Sequence, residues 1–170
     1  DRLPKVLAAE SLRGVVTALY EARANGRGML WGIGGHVVKC GLAPTLIDLM
    51  DRGYVTALAM NGAASIHDFE IGLAGQTSED VEAVLPDGRF GSAEETGREM
   101  NDAIRLAQAK GIGMGEALGE RLAEIADSQF APASLLVQAW LRKIPVTVHV
   151  AVGTDTPHTH PEASGAAIGA

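Results

Sequence analysis

Residues 29–70, MLWGIGGHVVKCGLAPTLIDLMDRGYVTALAMNGAASIHDFE, hold the pattern that decides the fold. Gly28 to Ile33 is a short apolar run between glycines, which predicts a strand buried on both faces. Ala43-Pro44 opens a helix with proline in its first turn, and Leu46, Ile47, Leu49 and Met50 give it an apolar side up to the stop at Gly53. Tyr54 to Met60 reads as a second buried strand. Two such strands joined by a crossover helix make a right-handed, parallel βαβ unit. Their terminal turns, Gly34-Gly35-His36 and Asn61-Gly62-Ala63, then lie on the sheet edge where open α/β folds bind ligands.

Working outward, Ser11 to Ala24 has apolar residues at Leu12, Val15, Val16 and Leu19, the spacing of a one-faced helix capped by Ser11. Beyond the second strand, a helix is expected from Ala64 through Asp68 to about Ala74. A short one follows over Thr77 to Val84, closed by the Pro86-Asp87-Gly88 turn. Ser92 to Glu95 forms a capping box for a helix reaching Lys110. Leu118, Leu122 and Ile125 mark the next helix, and Pro132 starts another with Leu135, Leu136, Ala139 and Trp140 facing inward. Ile144 to Val152 is the most β-rich run, ending in the glycine turn Gly153-Thr154-Asp155. The expected class is α/β: an open, mostly parallel, Rossmann-like sheet with helices on both faces, in a single domain over 1–170.

The chain has 170 residues, 46% of them hydrophobic and 21% charged, enough for one domain with a real core. Aromatics make up only 4%, so that core is aliphatic. A net charge of −7 without clustered Lys or Arg argues against a nucleic-acid groove. The single Cys40 excludes an internal disulfide and makes the cytoplasm the expected compartment. No apolar run approaches the length of a membrane span. The start at Asp1 and the small-residue run ending at Ala170 read as those of a fragment.

Three strands ending in glycine and polar residues point to a ligand crevice, because glycine lets backbone N–H groups approach a phosphate or ribose. Gly32-Ile-Gly34-Gly35-His36-Val37 approximates the dinucleotide fingerprint, but Val37 replaces its third glycine and no acid ends the second strand. His67-Asp68 could orient one imidazole tautomer for proton transfer; ordinary helix-surface polarity explains it as well. His158 and His160, with Asp155, offer a metal-binding alternative for a metal-assisted hydrolase, against the simpler reading of a solvated loop. Cys40, Trp31, Trp140 and Phe69 read as core.

The segments 32–70 and 143–155, the latter KIPVTVHVAVGTD, together resemble the nucleotide-binding region of deoxyhypusine synthase-like proteins. The resemblance implies NAD as cofactor, with Gly34, Gly35, His36 and Val37 lining its adenine and phosphate side and Asn61, Gly62 and Ala63 approaching it backbone-first. It places Asp68 among the acids that follow the second turn, and Thr154 and Asp155 near the nicotinamide or an amine. Together with His67, read from its own place beside Asp68, Asp68 and Asp155 form the candidate catalytic set. Such proteins oxidise an amine such as spermidine and transfer an aminobutyl group through a lysine, as homotetramers. Two departures stand out: Ile66-His67 occupy the place of paired acids, and the family's lysine belongs to a carboxy-terminal part absent from this chain. The implied function is therefore NAD-dependent amine oxidation or aminoalkyl transfer on a small amine, with a non-catalytic nucleotide-binding module as a further alternative.

Overall fold

The computed structural model describes residues 6, 8–77, 86 and 93–170. Helix α1 (Ala9–Ala24) leads into strand β1 (Leu30–Ile33), and helices α2 (Gly35–Lys39) and α3 (Ala43–Asp51) cross over to β2 (Ala57–Asn61). Helix α4 (Gly62–Ala74) follows at once, then α5 (Glu94–Lys110), α6 (Met114–Ile125), α7 (Leu135–Leu141), β3 (Val146–His149) and α8 (Gly165–Ile168). The three strands form one open parallel sheet in the order β1-β2-β3. Ile33 pairs with Met60, and Asn61 with His149, so the strand ends lie at nearly one level.

Local chemistry sets the element ends. Asn61 is extended and caps α4, its side-chain oxygen accepting from Ala64 N at 2.9 Å, and Gly75 closes that helix in the left-handed region at φ 74°. The C-terminus of α7 is closed instead by Lys143, the one positive-φ residue other than glycine among those described, at φ 56°. Lys143 N donates to Trp140 O and Ile144 N to Ala139 O, the bonding of a left-handed cap in which glycine is the usual occupant.

Leu58, Met60, Phe69, Leu118, Leu122, Leu135 and Leu136 are fully buried between the sheet and helices α4, α6 and α7. Each such side chain contributes about 1.5–3 kcal/mol of transfer free energy. Helix α6 comes close enough that a Cβ on Gly115 would lie 2.1 Å from the carbonyl oxygen of Val146. Glu99 ties α5 to α6 through Arg121, whose Nη2 lies 2.6 Å from its carboxylate. Burial pushes the Glu99 carboxyl up, but hydrogen bonds and charge from Arg121 and Arg98 outweigh it and hold the group below the usual carboxylate range.

Several expectations are corrected. β1 is an edge strand with Leu30 exposed, not a strand buried on both faces, because the described sheet has no neighbour beyond it. The apolar stripe of α1 stays in solvent, with Leu12, Val15 and Val16 all exposed. Pro132 lies in a short 3-10 turn, and the helix starts only at Leu135 behind its Ser134 cap. Trp140, in the last turn of α7, is 40% exposed. Cys40 is exposed at the C-cap of α2. β3 is shorter than the β-rich run that contains it. The helix expected over 77–84, the turn at 86–88 and Ser92 of the capping box fall wholly or mostly outside the described residues.

Candidate functional site

The carboxyl edge of the sheet gathers the turn after β1, the start of α4 and the turn after β3. At its centre is the N-terminus of α4. Gly62 and Ala63 are the first two helical residues, so their N–H groups have no partner within the helix, and the helix dipole adds partial positive charge there. Gly62 admits a side chain from the next strand: a Cβ on it would lie 2.0 Å from Oδ2 of Asp155. Asp155 is held in that pose by the turn behind it. Ala151 N donates to Asp155 Oδ2 at 2.8 Å, while the N–H groups of Thr154 and Asp155 donate to Ala151 O at 3.0 and 3.1 Å. Gly153, at φ 90°, allows the chain to make this turn.

On the other flank, glycine serves packing. A Cβ on Gly35 would come within 3.1 Å of the Ala63 Cβ and 3.2 Å of the His67 ring, so the missing side chain is what lets α2 seat on α4. Gly34 is extended at φ −115° and faces the Asn61 amide, 3.5 Å from where its Cβ would stand. The edge thus brings together Gly34, Gly35, Asn61, Gly62, Ala63, His67 and Asp155. His36 is exposed on the first turn of α2, Val37 is half-buried against the core, and the Thr154 hydroxyl donates to Ala151 O at 3.1 Å.

The expected His67-Asp68 pair does not form. Successive helical residues point about 100° apart, whereas positions three apart share a face. His67 Nδ1 accordingly meets Glu70 Oε2 at 3.0 Å. Asp68 turns into the protein instead, where it is completely buried. It accepts from Ser134 Oγ at 2.7 Å, Leu135 N at 2.7 Å and Leu136 N at 2.8 Å, so it caps α7. Burial raises its pKa to about 6, against the opposing pull of the three hydrogen bonds. Asp68 is therefore a structural acid, removed from the edge. Glu70 was overlooked in the sequence although its spacing from His67 was readable; Ser134, as the partner of Asp68, carried no local signal.

The segment after Asp155 is docked, not a freely solvated loop. Asn101 on α5 is buried, and its side-chain amide donates to Pro157 O at 2.9 Å and to Gly97 O at 2.8 Å. The His160 ring covers Gly97, where a Cβ would lie 2.7 Å from its Cδ2. Among the described residues no group of three or more His, Cys, Asp or Glu is placed to hold a metal ion, so the set His158, His160 and Asp155 is not assembled. No described helix is long and apolar enough to cross a membrane.

No family model matches the sequence, and no curated protein matches it. Among solved structures, the chain is similar to a conserved protein from Methanococcus maripaludis S2 described as LOR/SDH, with a TM-score of 0.58 and 16% sequence identity. The match covers 96% of this chain and 47% of that one, so this chain spans about half the length of its structural neighbour. At this identity the likeness is one of fold. It overturns the resemblance to deoxyhypusine synthase, and with it the implied NAD-dependent amine oxidation, aminoalkyl transfer and polyamine substrate. The strings that carried that resemblance, glycine after a strand and an Ile-Pro-Val strand start, are too short to distinguish one family of parallel α/β folds from another.

Proposed function

We propose that the carboxyl edge of the sheet binds a pyridine dinucleotide, NAD or NADP, and that the chain is the nucleotide-binding part of a dehydrogenase. The observation that carries this reading is the meeting of the α4 N-terminus at Asn61, Gly62 and Ala63 with the extended Gly34 backbone and with Asp155 at the end of a parallel sheet. The fold likeness to a protein described as LOR/SDH supports it.

The residues suit such a ligand. Free N–H groups at the head of a 13-residue helix offer hydrogen bonds to its polar atoms, and Gly34 leaves the adjoining backbone open. Asp155 offers carboxylate oxygens to hydroxyl donors. His67, oriented by Glu70, stands beside Gly35 on the same edge, where its ring could hold or pass a proton. When bound, the nicotinamide supplies the hydride acceptor or donor.

Calorimetric titration of the protein with NAD and with NADP tests the reading. Binding by at least one of them is expected. Gly34→Val, placed where the backbone at φ −115° accepts a β-branched residue, should weaken that binding at least tenfold while leaving the melting temperature nearly unchanged. No heat with either nucleotide up to millimolar concentration, or undiminished binding by the variant, would overturn it.

A further inference from the structure

Helix α1 is 16 residues long, and no residue of it is buried. A helix of that length is marginal in water on its own, because most helical stability in proteins comes from an apolar face packed on another element. Such a face exists. At 100° per residue, Leu12, Val15, Val16, Leu19 and Tyr20 fall within one stripe, while Glu10, Thr17 and Glu21 lie on the opposite side. Leu12, Val15, Val16 and Tyr20 are 42–64% exposed, so the stripe is present but uncovered.

The helix is fixed to the body at its C-terminal end. Tyr20 meets Tyr54 edge-on with ring centroids 5.7 Å apart. Arg23 lies over the same Tyr54 ring at 5.2 Å, and its Nε donates to Arg52 O at 2.7 Å. Arg23 is the charge in line with the stripe, and these contacts hold it at the anchored end. Arg13 stands at the margin. Between Leu12 and Tyr20 the stripe itself carries no charge, so a second copy laid along it would bury none.

We infer that α1 pairs antiparallel with α1 of a second copy of this chain, about a two-fold axis passing near Val16, the midpoint of the stripe. The antiparallel sense follows from the anchor. It sets the two bodies at opposite ends of a helix about 24 Å long, whereas a parallel pair would crowd them at the same end. Under the two-fold, the stripe covers itself, with Leu12 of one copy toward Tyr20 of the other and Val16 toward Val16. The exposed area of Val6, Leu12, Val15, Val16 and Tyr20 amounts to about 450 Å² per copy, so pairing buries about 900 Å² before its rim is added, close to the roughly 1,000 Å² at which specific association begins. That area suits a reversible dimer and is too small for an obligate one.

Sedimentation of the protein over a range of concentrations tests this. The mass should rise from that of one chain toward that of two between about 1 and about 300 micromolar, as expected of an interface of this size. A residue beside the axis meets its own copy. Val16→Glu and Val16→Lys should therefore each weaken dimerisation at least tenfold by setting like charges together, and an equimolar mixture of the two variants should restore it. Because Val16 is exposed, both variants should keep the wild-type melting temperature at concentrations where the wild type is a single chain. A wild-type protein that stays a single chain throughout, as it would if another segment of a longer polypeptide or a different protein covered α1, would overturn the inference. So would a dimer that neither variant weakens, or a mixture of variants as monomeric as its components.

Discussion

Asp68→Asn is the most informative perturbation of the fold, because one buried carboxylate satisfies three donors at once: Ser134 Oγ, Leu135 N and Leu136 N. The amide keeps a single acceptor oxygen and turns an NH2 toward groups that are themselves donors. Leaving buried donors unmatched costs about 1–3 kcal/mol each, so a loss of about 2–4 kcal/mol is expected near neutral pH. The pH dependence separates this cause from a generic packing defect. Burial raises the Asp68 pKa from 3.8 to about 6, so between those values the folded protein binds a proton that the unfolded chain does not. Its protonation therefore contributes stability that is fully present below the unfolded value and is lost as pH rises through the folded one. The full span of that contribution is about 3 kcal/mol, of which roughly 1 kcal/mol falls between about pH 5 and about pH 7. Asparagine does not titrate. In urea unfolding followed by circular dichroism, the stability gap between wild type and variant should therefore widen by roughly 1 kcal/mol on going from about pH 7 to about pH 5. A gap that stays constant or narrows, or a variant as stable as wild type, would refute the assignment of Asp68 as the buried cap.

Two further substitutions probe close backbone approach. Gly115→Ala would drive a methyl group to 2.1 Å from the Val146 carbonyl oxygen, and neither α6 nor β3 can yield without opening the core. A destabilisation of about 2–4 kcal/mol is expected in the same unfolding assay, and a loss under about 0.5 kcal/mol would contradict the packing described. Lys143→Gly should act in the opposite direction, because the lysine holds a left-handed backbone at φ 56°. Relief of that strain, offset by the greater freedom of glycine in the unfolded chain, should raise stability by up to about 1 kcal/mol, visible as a higher melting temperature.

The βαβ core was legible in the sequence because its signals are local. Glycine, proline and short apolar runs at 28–60 mark strand, crossover and strand without reference to the rest of the chain; the observed β1 and α3 fall inside those marks, and β2 starts inside its mark at Ala57 and ends one residue beyond it at Asn61. What each glycine is for was not legible. Gly35 and Gly62 read as ligand-facing positions, yet Gly35 exists to seat α2 on α4, and Gly62 to admit Asp155 from another strand. Asp68 was misread for the same reason: its partner Ser134 lies 66 positions away, and no spacing rule reaches so far. His67, by contrast, carried its true partner in plain view at Glu70, three residues on. Trp140 follows the apolar periodicity of α7 and its Cβ packs near Gly119 of α6, but its side chain borders an open groove of about 560 Å³ lined also by Lys143 and Glu116. The family resemblance failed at a coarser level, since motifs shared by parallel α/β sheets in general do not distinguish one family from another.

The Asp68 cap is also a long-range contact. It joins α4 to the start of α7 across a separation of 66 residues. Closing a flexible loop of that length costs about 4 kcal/mol of chain entropy, so the contact is worth making only once α5 and α6 have shortened the path between its ends. Pairing β1 with β2, whose partners such as Leu30 and Ala57 lie closer in sequence, costs about 3 kcal/mol by the same rule. A cap that forms after the β1-β2 pairing predicts that Asp68→Asn speeds unfolding and leaves the folding rate nearly unchanged, which stopped-flow measurement of both rates would check.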